Sequence, residues 1–523
     1  MRTRSCKARR TLGSALIMIF CLTVLAGAQA QRQRPVEYDE VVAGSRIEDT
    51  AARLKEFERI KAAYPESQMA ATIDMFILDA KVELSDSLDR ILALQQESLD
   101  KGQGPNLVSG LVQAAARILE HPKAGSFKGA DVVAAVIGYR DAATKALNDP
   151  ATYAQLPDPE QQRSFKSYYG NAFGVPVAQA HLVAGDAPKA QAALEAFRKD
   201  GGAPDARYSY TRGEVHVAMG KNKEAYEAFL GAAVENYSDA ADRAKDLFIK
   251  SGGKAEAFAA VLEAKAKELP FHPEPFKAPS GWKGKAVLAE LFTGSECPPC
   301  VGADLGFDGL IESYPAQYLA ILQYHLPIPG PDPMMNPATK LRADYYGVNS
   351  TPTVFIDGTN KMVGGGGRGM AEGKFKQYKA AIDPLLAAVP EAVLKVRASL
   401  TGDQVEVAYE LDGAVPGADY HVVLVQDEED YKGSNGLQFH KLVVRDIVTV
   451  DPAAAKRTAF DLAASERAAD AYLTEFEKTY TRRPDFKWAA RRAKIARTGL
   501  KVVFFAQDRE SKRVLNAAVA DVR

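Results

Sequence analysis

The sequence predicts a multidomain chain with an all-α N-terminal half, an α/β region and a C-terminal β-sandwich. Three observations predict it. Apolar residues recur at helical spacing up to about residue 278, strands and helices alternate over 279–389, and apolar residues alternate with period two over 390–523. The composition, 46% hydrophobic and 25% charged, is that of folded domains and excludes a disordered or collagen-like chain.

The first thirty residues read as an address. Arg2, Arg4, Lys7, Arg9 and Arg10 precede an apolar stretch from Leu12 to Leu25, and Ala28-Gln29-Ala30 has the small-x-small form of a cleavage site. A secretory leader over 1–30 is therefore expected, and with it an exported chain that has no membrane span. The whole chain has 66 Lys+Arg against 67 Asp+Glu, so removing a basic leader leaves an acidic body. That argues against a nucleic-acid partner, which would require a basic face.

Residues 31–278 read as helical. In "RIEDTAARLKEFERIKAAY", Ile47, Leu54, Phe57 and Ile60 fall on one face. Breakers such as Gly102-Gln103-Gly104-Pro105 and Pro157-Asp158-Pro159 separate the helices. Gly185, Ala190 and Leu194 return 35 positions later as Gly220, Ala225 and Phe229, and Gly213 and Ala233 extend the second copy. This resembles tetratricopeptide repeats, whose small residues let paired helices pack closely; a non-repetitive helical bundle is the alternative. A proline-rich stretch, "LPFHPEPFKAPSGWKG", then leads into the next region.

Residues 279–389 read as strand (Lys285 to Phe292), dithiol, helix, strand (Tyr318 to His325), short helix (Pro337 to Gly347), hairpin (Thr353 to Val363) and helix (Ala371 to Ala388). Residues 390–523 give seven short strands interrupted by a helical insertion at about 464–495, with Tyr472, Phe476 and Tyr480 one turn apart. The basic run from Arg482 to Arg497 reads as a solvated face.

The four cysteines are Cys6, Cys21, Cys297 and Cys300, and the first two fall in the leader. The remaining pair forms Cys297-Pro298-Pro299-Cys300. A bridge across so short a span constrains little of the unfolded chain, so its value is expected to be chemical. Thiol–disulfide exchange needs one accessible thiolate and a second thiol to resolve the mixed disulfide. Cys297, before a helix start, is expected to be the nucleophile, and Cys300, one turn in, the resolving thiol. Pro298 and Pro299 remove local N–H donors, and Glu296 adds a negative charge, so the pair is expected to lean toward a reductant or mild exchanger. A zinc site is not expected, because no second ligand pair accompanies the dithiol and His325 stands alone. Pro352 precedes a buried strand; a cis Thr351–Pro352 bond is expected there, with the Thr351 backbone pairing with a substrate.

Residues 285–389 resemble a thioredoxin-fold domain, carried by "VLAELFTGSECPPC" and "GVNSTPTVFIDG". From about 286 onward the chain resembles the Omp28-related exported proteins of bacteria, through "YHLPIPGPDPMMNP", "RADYYGV", "VVLVQDEEDY", "HKLVVRDIV" and "VVFFAQD". The resemblance implies a thioredoxin fold followed by a β-sandwich, and a periplasmic or outer-membrane-associated location. It also matches Cys297 and Cys300 to the redox pair and Pro352 to the cis-proline. In thioredoxins a buried acid lies six positions before the first cysteine; here that position is Leu291, so proton transfer is left to water or to Glu290. Pro327 to Met335 offer a lip over the dithiol, Gly364 to Gly367 read as a flexible connector, and His440 and Arg445 as sheet-surface residues.

The sequence thus predicts an exported thiol:disulfide oxidoreductase acting on protein substrates with a further redox partner and without a bound cofactor. The alternative is a non-enzymatic cell-envelope binding protein that retains the same scaffold.

Overall fold

The computed structural model describes residues 35–413, 415–451, 455–483 and 485–523, with only the backbone of residues 160 and 164. The leader expected over 1–30, with Cys6 and Cys21, lies outside the described residues. Two compact units divide the described residues, one comprising 35–233 and 237–255, the other those of 234–236 and 256–523. Among the described residues no helix is long and apolar enough to cross a membrane.

The first unit is helical. Its clearest local order lies in four helices, α1 (Gly174–Val183), α2 (Ala187–Lys199), α3 (Ala206–Ala218) and α4 (Asn222–Val234). The second pair ends and begins 35 positions after the first, matching the sequence offset. Gly185 and Gly220 follow α1 and α3 at φ +74° and +73°, a backbone conformation that glycine adopts without a Cβ penalty. The same closing bond recurs beside them: Asp186 N–H donates to His181 C=O and Lys221 N–H to His216 C=O, both at 2.8 Å. Ala190, Leu194, Ala225 and Phe229 are all buried. A Cβ on Gly213 would stand 2.7 Å from the Phe229 ring, so the small residue permits the close approach of α3 and α4.

The second unit is built on a mixed sheet. Its strands are β1 (Val287–Thr293), β2 (Leu319–His325), β3 (Thr353–Ile356), β4 (Asn360–Val363), β5 (Val393–Thr401), β6 (Gln404–Asp412), β7 (Ala418–Asp430), β8 (Phe439–Val450), β9 (Arg457–Asp461), β10 (Leu500–Asp508) and β11 (Val514–Asp521). Eight of them form one sheet in the order β11-β10-β7-β8-β2-β1-β3-β4, and β5-β6-β9 form a second. β1 and β2 are parallel and buried along their whole length, which accounts for their unbroken apolar character. β5 and β6 alternate between buried and exposed residues, as a one-faced antiparallel pair should. Their inner residues, among them Val405, Val407 and Tyr409, pack with Val502 and Phe504 of β10.

Helices α5 (Cys300–Ser313), α6 (Pro337–Tyr346), α7 (Ala371–Ile382) and α8 (Leu462–Thr479) belong to the same unit. The expected helical insertion at about 464–495 is helical only to Thr479. Beyond it the chain turns back: Trp488 Nε1 donates to Leu473 C=O at 2.9 Å, and Phe486 and Trp488 pack edge to face. Aromatic packing on α8 thus replaces a further run of helix. His440 (3% exposed) and Arg445 (5%) are buried and not surface residues, because β8 lies inside the sheet between β7 and β2.

Candidate functional site: a covered disulfide at a helix start

Parallel β1 and β2 end in register at Thr293 and His325, so the segments that follow them leave the sheet at the same edge. The first carries the dithiol. Cys297 and Cys300 are joined by a disulfide, with Cα atoms 5.3 Å apart. Cys300 opens α5, and its N–H donates to Cys297 C=O at 3.0 Å. Prolines suit this start, since φ is preset and no N–H is left unpaired in the first turn.

Both cysteines are fully buried at 0% exposure, although Pro298 and Pro299 between them are exposed. Three segments close over the turn. The first is the loop after β2: a Cβ on Gly294 would stand 2.8 Å from Ile328 O, and Thr351 Oγ1 donates to that same carbonyl at 2.7 Å. The second is the glycine run. Gly366 N–H donates to Pro299 C=O at 2.6 Å, Gly302 N–H to Gly366 C=O at 2.7 Å, and Gly364 N–H to Pro352 C=O at 3.0 Å. A Cβ on Gly365 would lie 1.9 Å from Pro299 O and 2.8 Å from Pro352 Cγ. This run is therefore a strap bonded across the dithiol turn, and not a flexible connector. The third is the turn before β8: Asn435 N–H donates to Ser295 C=O at 3.1 Å, and its Nδ2 approaches Gly294 O at 3.3 Å and Cys297 O at 3.4 Å.

Thr351–Pro352 is cis, and so is Ile328–Pro329. Pro352 is buried and Thr351 partly so, and the strap glycine Gly365 lies between Pro352 and the dithiol turn. The Pro327 to Met335 segment does lie at the dithiol, but Met334 and Met335 are buried (both 1%), Met335 packing with Leu473 of α8.

Glu290 is not brought to the sulfurs by any hydrogen bond. Its carboxylate accepts from Arg342 Nε (3.0 Å) and Nη2 (2.7 Å) and from the hydroxyls of Tyr324 (3.0 Å) and Tyr346 (2.6 Å). Gln507 closes the network, accepting from Arg342 Nη1 at 2.9 Å and donating to Tyr346 OH at 2.8 Å.

A different acid shares the dithiol's helix face. Asp304 stands one turn after Cys300 on α5, a spacing that places two side chains about 5–6 Å apart at Cβ. One carboxylate oxygen accepts from Thr293 Oγ1 at 2.8 Å, and the other, Oδ1, has no partner among the described residues. Burial pushes the Asp304 carboxyl from the ordinary 3.8 up to about 7, against the opposing pull of His325 and Thr293. His325, 0% exposed, shares a hydrogen bond between Nδ1 and Asp332 Oδ2 at 2.9 Å, and its Nε2 is also without a partner. Its ring meets that of His440 edge to face, with centroids 5.0 Å apart. Burial, with His325 adding to it, pushes His440 down to about 3 and so keeps it neutral near pH 7. Tyr378 OH, raised by burial and then by Asp304, is a third unpartnered polar atom here. Asp332 binds the loop to the dithiol turn by accepting from Ser295 N–H at 2.7 Å; burial opposes its charge, but His325 and the backbone donors hold it below the ordinary carboxylate value.

The signal for Asp304 is present in "CVGADLGFDGLIES" as the first acid after the dithiol, four positions beyond Cys300 on the same helix face. Among the described residues, no group of three or more His, Cys, Asp or Glu side chains is arranged to hold a metal ion. No protein-family model matches the chain, and searches of curated proteins and of solved structures find no match either.

Proposed function

We propose that the protein is an exported thiol:disulfide oxidoreductase that exchanges disulfides with protein substrates through Cys297 and Cys300. The observation that carries this reading is the Cys297–Cys300 disulfide at the first turn of α5, with Pro352 against the same strap. In this reading residues 279–389 take a thioredoxin fold and 390–523 the β-sandwich of Omp28-related proteins. The N-terminal helices are tetratricopeptide-like and position a substrate.

In the exchange, a substrate thiolate attacks Cys297 Sγ. The bond to Cys300 breaks, a mixed disulfide forms on Cys297, and Cys300 leaves as a thiolate. A charged sulfur is costly in a buried site, so it takes the proton from the Asp304 carboxyl. The reverse reaction returns that proton as Cys300 attacks the mixed disulfide. Because both sulfurs are covered, exchange requires a covering segment to part. The glycine strap is the segment best suited to do so, being held across the turn by backbone hydrogen bonds.

The same full burial of both sulfurs favours a second reading, an envelope binding protein whose disulfide is structural. Reduction of insulin by wild type and by Cys297→Ser separates the two. The exchange reading expects activity only in wild type, and a substrate trapped as a mixed disulfide on Cys300→Ser. Equal rates in wild type and Cys297→Ser would leave the structural reading.

A further inference from the structure

The basic segment after α8 is only partly a solvated face. Lys487 pairs with Glu477 at 2.8 Å, Arg491 with Asp470 at 2.9 Å, Lys494 with Glu466 at 2.8 Å, and Arg497 with Asp403 at 2.7 Å. Three arginines stand apart from this pattern: Arg492, which reaches Glu429 only at 3.8 Å, and two that follow α8 directly. Arg482 is exposed and donates to Pro329 C=O at 2.9 Å, and among the described residues no carboxylate pairs with it. Arg483, its side chain 51% exposed, reaches Glu296 only at 3.7 Å.

Both lie at the dithiol. Pro329 belongs to the loop closing over the cysteines, and Glu296 is the residue before Cys297. A Cβ on Gly330 would meet the Glu296 carboxylate, so Glu296 lies flat against that loop. Burial pushes the Glu296 carboxyl up while Arg483 pulls it down, so the rim's nearest acid is itself disfavoured as a charge. The arm is held in place: the Arg483 guanidinium lies 5.2 Å from the Phe486 ring and 5.8 Å from that of Tyr480, and Tyr480 stacks on Phe476 of α8 at 4.9 Å. An anchored pair of incompletely neutralised arginines beside a sulfur-bearing turn is a recognition element for negative charge.

We infer that Arg482 and Arg483 form a specificity rim that favours protein segments with acidic side chains flanking the reacting cysteine. This rests on the exchange reading and names its substrate class.

The test uses the full chain, previously reduced, and two synthetic peptides. Each carries one cysteine as a mixed disulfide with thionitrobenzoate, flanked by Glu in one and by Lys in the other. At about 20 mM salt, the second-order rate constant for the single turnover that consumes the reduced dithiol is expected to be about fivefold greater for the Glu peptide than for the Lys peptide. The difference should vanish near 300 mM salt, where screening is strong, and reverse in the double variant Arg482→Glu/Arg483→Glu. Fluorescence anisotropy with serine in place of the peptide cysteine reads binding without redox chemistry. Equal binding and rates for both peptides at low salt, or a preference unchanged in the double variant, overturns the rim. A single-stranded oligonucleotide bound as tightly as the Glu peptide also overturns it, in favour of general polyanion binding. Should Cys297→Ser release thionitrobenzoate as fast as wild type, the exchange reading fails, and the anisotropy still decides the rim.

Discussion

Two buried acids near the same strand have opposite surroundings. Glu290, on β1, has both carboxylate oxygens occupied by Arg342 and two tyrosine hydroxyls, and the network continues into Gln507 of β10. Asp304, on α5, has one oxygen bonded to Thr293 and the other unpartnered beside an unpartnered His325 nitrogen. A saturated carboxylate is a tie between elements, whereas an unsaturated one retains capacity for a proton. The acid that the sequence suggested as a relay is the tie, and the acid it overlooked has the chemical freedom.

The sharpest way to break this contrast is Arg342→Leu. It strands the Glu290 charge in the core and is expected to cost about 3–5 kcal/mol in urea unfolding. Asp304→Asn, by comparison, should cost less than about 1 kcal/mol, since the amide oxygen can still accept from Thr293 Oγ1. A similar loss in both variants would erase the distinction.

The next effect is in pH. Asp304 holds its proton in the folded state up to about pH 7, whereas the unfolded chain releases it near the ordinary 3.8. Asp308, pushed by burial up to about 6, acts in the same direction. Between these values the folded state binds more protons at these two carboxyls, so their contribution to stability falls as pH rises from about 4 to 7, while buried His440 and His421, pushed down to about 3 and about 4, act in the opposite direction up to about pH 6.5. Asp304→Asn, which removes one of the falling contributions, should make the slope of stability against pH more positive over this range with the disulfide intact. An unchanged slope would show that Asp304 is not the titrating group.

The smallest expected effect concerns the strap. Gly365→Ala sets a methyl against Pro299 O and should cost ~1 kcal/mol of stability while lifting the cover. Reduction of the disulfide by dithiothreitol, followed by thiol alkylation and mass measurement, should quicken about tenfold. Gly367→Ala, whose added Cβ would meet nothing within 4 Å, serves as the control. Equal rates in wild type and both variants would mean that another segment guards the sulfurs.

Much of the local structure was legible. The expected strand from Thr353 to Ile356 has those bounds, the Pro337 helix ends before Gly347 at φ +65°, and the Gly185 and Gly220 turns recur at the offset the residues show. These follow from short-range rules of proline, glycine and apolar periodicity. Alternation along β8 does not reveal that the strand lies between β7 and β2, which is what buries His440 and Arg445. The glycine run was misread because its role depends on carbonyls of Pro299 and Pro352, far from it in sequence.

By itself the sequence determined the bounds of elements such as β3 and α6 and where two sulfurs meet at a helix start, since backbone preference and a four-residue span are local properties. Only the tertiary structure decided that those sulfurs are covered, that Glu290 is tied while Asp304 is not, and that two arginines from beyond α8 reach the dithiol turn. Burial and charge pairing depend on which distant segments meet, and no short-range pattern encodes that meeting.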